Sequence, residues 1–211
     1  MWFLIANALG FQAMWLIAVI FGDSLTLVAV LLLVLINFFL LYIVYQARFS
    51  WRNEVLTIAV CLAIGFFVEW VNLQLGVWST SVSHALPPLW LLAIWVAFAT
   101  SLHGSLAFLQ DRLVLAAFAG LIFSPLSYFA GAKLSPNYAL ADPYKSLVIV
   151  GVIWFFVMPL LAVLAAKISP LKVGAVRAGD SACARSIQPQ LAEVASSDVH
   201  KKIPNEDKPS V

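Results

Sequence analysis

Residues 2–22 contain no charged side chain, and Asp23 ends that run. Residues 24–47 contain none either, and Arg48 ends it. Residues 55–110 hold one acidic side chain, Glu69, and are split by a polar stretch over residues 79–87. Two more runs follow, 113–132 ended by Lys133 and 146–166 ended by Lys167. A helix needs about 20 apolar residues to cross the hydrocarbon of a bilayer. The pattern therefore predicts six spanning segments, with the third near 55–75 and the fourth near 88–110. The runs are continuously apolar and lack the alternation of barrel strands. Helices satisfy every backbone polar group internally, which hydrocarbon demands. The expected fold class is all-α, a polytopic transmembrane helix bundle.

Composition agrees. The chain is 63% hydrophobic and 10% charged, against roughly 25% charged residues in soluble domains. A chain of 211 residues with so few charges has lipid as one of its solvents. The charges also divide the chain. Residues 1–167 hold six Lys or Arg and five Asp or Glu, and residues 168–211 hold the other six and five. The expectation is a membrane bundle over 1–167 and a polar, disordered tail over 168–211. A net charge of +2, dispersed along the chain, gives no basic surface for nucleic acid. Cys61 lies in an apolar run and Cys183 in the tail, so no disulfide is expected. The start, Met1-Trp2-Phe3-Leu4, lacks a basic region and a small-residue cleavage site, so it reads as a retained helix.

Lys and Arg in short loops set orientation. Arg48, Arg52, Arg112, Lys167, Lys172 and Arg177 fall on one side, and Lys133 and Lys145 on the other. The first set is expected in the cytoplasm, with both termini. Trp2, Tyr45, Trp51, Trp78 and Trp90 lie near run ends and fit interfacial belts. Pro88 suits a helix start, whereas Pro159 falls inside the last span and is expected to kink it. Trp15, Trp70 and Trp95 are expected to pack or to face lipid.

Polar residues inside the spans are the candidate site. A carboxylate in hydrocarbon costs at least ~2–3 kcal/mol, so Glu69 must face the bundle, pair, or take up a proton. Gly65, Glu69, Asn72 and Gly76 would line one stripe of the third helix, suited to close helix contact. His103 would share a face of the fourth helix with Thr100, Gly104 and Ala107. Depth counting at ~1.5 Å per residue sets Glu69 and His103 about 10 Å apart vertically. That spacing argues against a Glu69–His103 pair. It predicts an outer polar layer of Glu69, Asn72, Ser124 and Tyr128 and an inner one of Asn7 and His103, with Gln12 and Asn37 between. Two roles stay open for both Glu69 and His103: acid–base or head-group chemistry, and hydrogen bonding between helices. His84 reads as a solvated loop residue. A metal site would need three or four clustered ligands, which this spacing does not supply, and no cofactor motif is present.

The stretches Ala6-Asn7-Ala8-Leu9-Gly10-Phe11-Gln12, Pro87-Pro88-Leu89-Trp90-Leu91-Leu92 and Ser124-Pro125-Leu126-Ser127-Tyr128-Phe129-Ala130-Gly131-Ala132-Lys133 resemble a bacterial membrane family, domain of unknown function 2878. The resemblance covers about residues 3–166. It implies a multi-pass protein of the bacterial inner (cytoplasmic) membrane, with relatives encoded near lipid-modifying genes. Such relatives carry Asp where Glu69 stands and His where Gly104 stands. Three functions follow as expectations. The sparse polar inventory favours a non-catalytic component that supports a membrane protein partner or a lipid-related process. The others are a small transporter or flippase, and an intramembrane enzyme with Glu69 or His103 as acid or base. A cavity reaching Glu69 or His103 would discriminate among them.

Overall fold

The computed structural model describes residues 2–46, 49–79, 86–136 and 138–169. The expected tail from residue 170 onward, with Lys172, Arg177 and Cys183, lies outside the described residues, as do Arg48, His84 and the side chain of Tyr45.

The described residues form six α-helices: α1 Trp2–Phe21, α2 Asp23–Tyr45, α3 Trp51–Gln74, α4 Leu89–Leu102, α5 Leu113–Leu134 and α6 Pro143–Ile168. Five are long and apolar enough to cross a membrane, and α4 is shorter. The fold is a helical membrane bundle. At ~1.5 Å per residue, the 20 residues of α1 reach about 30 Å, a hydrocarbon thickness.

Local sequence explains where each helix turns. Gly22 takes φ 59°, a left-handed backbone that favours glycine, and α2 starts at the next residue. At the end of α3, Gly76 takes φ 65°. There Val77 N–H donates to the Asn72 carbonyl at 2.9 Å and Gly76 N–H to the Leu73 carbonyl at 3.1 Å. This is the paired closure of a Schellman cap. It also corrects the expected stripe, because Gly76 lies beyond the helix. The cap feeds β1, Trp78–Ser79, which pairs antiparallel with β2, Ala139–Leu140, in the register Trp78 to Leu140. Asp142 caps α6 by accepting from Lys145 N–H at 3.2 Å, with Pro143 in the first helical position.

The fourth span departs from expectation. Residues 88–110 do not make one helix. The α4 helix ends at Leu102, and the chain continues through a turn and a single-turn 3-10 helix, Ala107–Leu109, before α5. His103 is the residue after the helix, so Thr100, His103, Gly104 and Ala107 share no helical face. The physical reason is that buried polar side chains replace the lost helical hydrogen bonds. Asn7 of α1 accepts from the backbone N–H and the hydroxyl of Ser105, each at 2.9 Å, and donates to the Thr100 carbonyl at 3.1 Å. Gln110 donates to the Leu102 carbonyl at 2.7 Å. Gly104 is required here, since a Cβ would run into the Asn7 side-chain amide.

The closest helix pair is α5–α6. Gly120 packs against the backbone of Trp154, and Gly151 faces Leu121 and Pro125, so small residues let the two backbones approach. By contrast, α1 and α5 barely meet. Trp15 and Val19 approach Gly131 near one end of the pair. The outer face of α2 exposes Leu31, Leu32, Leu35, Ile36 and Phe39, as a lipid-facing helix does. Trp2 and Trp51 are exposed near helix ends, but Trp78 is only 8% exposed and belongs to the core instead of an interfacial belt.

Candidate lipid-facing cleft

Two buried polar groups divide the bundle. The first joins α3, the end of α4 and α6. His103 Nδ1 lies 2.9 Å from one carboxylate oxygen of Glu54 and 3.0 Å from the other. Its Nε2 lies 3.1 Å from the carbonyl oxygen of Ala165. A carbonyl only accepts, so Nε2 carries a hydrogen. Nδ1 faces the Glu54 carboxyl on the other side of the ring, as donor or acceptor according to where the second hydrogen sits. Both side chains are buried. Glu54, one residue outside the expected third span, is a second buried carboxylate in addition to Glu69. It sits in the first turn of α3, where an acid reads as a partner of the helix dipole, so its burial was not legible from sequence. Asn7, expected in the same layer as His103, meets the chain just after it at Gly104 and Ser105, holds the α4 break and donates to Asn37 at 2.8 Å.

The second group centres on Glu69, which is fully buried. One carboxylate oxygen accepts from Trp95 Nε1 at 3.1 Å and from the Tyr128 hydroxyl. The other accepts from Asn72 Nδ2 at 3.2 Å. Thus α3, α4 and α5 converge on one carboxylate. Three donors replace much of the hydration that a buried carboxylate loses. Trp95 was expected to pack or face lipid, and its indole N–H instead serves Glu69. It reaches there because Gly65 presents no Cβ to the ring. The structure does not unite Glu69 with His103, which belongs to the first group.

A cavity of about 500 Å³ reaches Glu69. That size falls in the ~300–1,000 Å³ range of small-molecule sites. Its side walls come from α1, with Phe11, Gln12 and Trp15, and from α5, with Ala119, Phe123 and Ser124. Gln12 and Phe123 are exposed. The cavity is therefore a cleft that opens sideways where α1 and α5 part. Ser124, expected in the same layer, lines this wall and is not among the three donors to Glu69. His103 does not line the cleft.

The floor is aromatic. Trp95 stacks on Trp154 with centroids 4.9 Å apart and planes 18° apart. Trp78 stacks on Tyr128 at 5.0 Å and 11°, and its ring centroid lies 3.8 Å from that of Tyr138. The sequence offered no sign of this floor, because its rings come from α4, α5, α6, β1 and the approach to β2. Among the described residues, no group of three or more His, Cys, Asp or Glu could hold a metal ion.

These features define a helical membrane protein with an aromatic cleft open to its lipid-facing side. The family described as Protein of unknown function (DUF2878) matches residues 4–160, and the chain belongs to that family. No curated protein and no solved structure matches the chain.

Proposed function

We propose that this protein is a multi-pass component of the bacterial inner membrane, with both termini in the cytoplasm, that binds a membrane lipid in the α1–α5 cleft. It supports a lipid-related process, or a membrane protein partner that carries one out, without chemistry of its own. The observation that carries this reading is the cleft itself. It is walled by apolar side chains, opens where two spanning helices part, and ends on Glu69. A lipid chain can enter such a cleft from the bilayer without crossing water. Glu69 is already engaged by three donors, which suits a fixed anchor of the floor better than a base that must take and release protons.

Native mass spectrometry of the protein in mild detergent tests the reading. The wild type is expected to retain a lipid, and Ala119→Trp, which fills the cleft from α5, is expected to lose it. Ala119→Val leaves most of the space and controls for folding. Equal lipid retention by wild type and the folded Ala119→Trp variant would overturn the proposal.

A further inference from the structure

The length of the cleft and the spread of its polar groups say how a lipid uses it; this inference rests on the lipid-binding reading above. Along α5 the cleft runs from Leu115 to Gly131. At ~1.5 Å per residue that is about 24 Å, most of the ~30 Å hydrocarbon thickness. Leu115 stands in the first turn of α5 and Gly131 in its last. The cleft therefore crosses the midplane and reaches toward both surfaces. A pocket that holds a lipid in place needs the depth of one leaflet only.

Polar side chains recur along this length. Tyr138 lies at the end of the bundle where α1 turns into α2. Its ring centroid is 5.3 Å from that of Trp90, whose backbone N–H donates to Asp23. Inward from that end, by residue count along each helix, Ser127 lies about 10 Å deep, Gln12 and Ser124 about 14–15 Å, and Ser101 about 18 Å. All five line the cleft. The first and last of the series are orphans: the Tyr138 hydroxyl and Ser101 Oγ have no partner among the described residues, and both side chains are at least nine-tenths buried. Buried polar groups without partners are rare and costly. Between them, Gln12 is exposed in the middle of α1, where hydrocarbon offers its amide nothing. The two orphans differ in depth by about 18 Å, farther than one small head group reaches. A polar group fixed at one depth would serve one of them. A polar group that travels the cleft meets each in turn.

Charge sets the class of lipid. The lining holds Glu69 and no Lys, Arg or His. An anionic head would pass a carboxylate with no cation to offset it. Hydroxyls and an amide both donate and accept, and so match a head group built of hydroxyls. The cavity of about 500 Å³ has room for one sugar.

We propose that the cleft is a passage between leaflets for a lipid with an uncharged, hydroxyl-bearing head, such as a glycosyl diacylglycerol. The head moves past Tyr138, Ser127, Ser124, Gln12 and Ser101, while the chains stay in the bilayer outside the gap between α1 and α5. The movement is passive and runs in either direction, since no bond is made or broken.

Proteoliposomes holding the full chain test this. The probes are a monoglucosyl diacylglycerol and a phosphatidylglycerol, each with the same short fluorescent chain, present in both leaflets. Albumin added outside extracts the outer pool and cannot cross. Protein-free vesicles give up the outer half only. With the wild type, extraction of the glucosyl lipid is expected to run beyond that half, at least about 10-fold faster than that of phosphatidylglycerol. Gln12 is exposed, so Gln12→Leu should leave the melting temperature unchanged. It is expected to slow the glucosyl lipid about 2- to 10-fold, the span of one hydrogen bond, and Gln12→Asn to restore most of the rate. Equal rates for the two lipids would overturn the uncharged head. Equal rates for wild type and Gln12→Leu would overturn the passage along these side chains. Extraction that stops at the outer half, from a protein that retains lipid in mass spectrometry, would overturn the passage and leave the lipid-binding reading standing. A wild type that neither moves nor retains lipid would overturn both.

Discussion

Replacing Glu54 by Leu removes the acceptor that faces His103 and leaves a buried imidazole N–H or lone pair with nothing to meet. His103 Nδ1 sits 2.9 and 3.0 Å from the two Glu54 oxygens, and both side chains are buried. Breaking a buried ionic pair at one end costs about 3–5 kcal/mol, because the partner is stranded. If the pair is two neutral groups, the loss falls toward ~1–3 kcal/mol. Either value exceeds the ~0.6 kcal/mol average of an interhelical hydrogen bond in a membrane protein. Glu54→Gln should be mild, about 1 kcal/mol, since the amide can donate to Nδ1 while Nε2–H keeps its bond to Ala165. The assay is reversible unfolding in mixed micelles, followed by loss of helical signal as the denaturing detergent fraction rises. Glu54→Leu, His103→Phe and the double variant form a cycle. The double variant is expected to lose less than the sum of the singles by more than 1 kcal/mol, because neither partner is left alone. Additive losses, or a Glu54→Leu loss under ~0.5 kcal/mol, would refute the pairing argument.

Glu69→Leu strands the Trp95, Tyr128 and Asn72 donors and should destabilise the bundle by about 3 kcal/mol or more, whereas Glu69→Gln should cost about 1, both read by the same unfolding. Gly104→Ala forces a Cβ against Asn7 and should cost about 1–3 kcal/mol, seen as a lower melting temperature in detergent. Asp23→Ala removes the acceptor of Trp90 N–H, 2.7 Å away, and should cost about 0.5–1.5 kcal/mol in that assay. Reporter fusions at Ser81 and after Ser169 should report opposite sides of the membrane, and the same side for both would sink the proposed topology.

The parts of this fold legible in the sequence are those fixed by solvent. A run such as 2–22 has one stable form in hydrocarbon, so α1, α2, α3, α5 and α6 follow from long apolar runs with few charges. The same rule misled at residues 88–110. Hydropathy counts side chains, and the backbone of Leu102 to Leu109 is freed from helix by Asn7 and Gln110, which lie far away or at the run's edge. Glu69 was legible because an acid in mid-span needs a partner, and Asn72 and Tyr128 were legible as polar atoms at its depth. Trp95 was missed because an indole in an apolar run looks like packing until its N–H is seen to face a carboxylate. Trp78 and Tyr138 were missed for another reason. They reach the floor through the β1–β2 ribbon, a contact between distant segments that no local period encodes.

The two carboxylates divide the work of the bundle between fold and site. Glu54 and His103 stand outside the cleft lining and tie α3 to the broken end of α4 and to α6. Glu69 stands at the cleft and fixes the rings of Trp95 and Tyr128, on which Trp154 and Trp78 stack. A sealed pair that sets helix positions and an engaged carboxylate that sets ring positions leave the floor stiff before any ligand arrives. Binding then needs no ordering of the floor, and little affinity is lost to that ordering. The consequence separates the two groups by experiment. Damage at Glu54 should lower stability and slow both labelled lipids alike, since it shifts whole helices. Tyr128→Phe, which removes one of the three donors to Glu69, should cost about 1 kcal/mol in unfolding and should loosen lipid retention in the cleft.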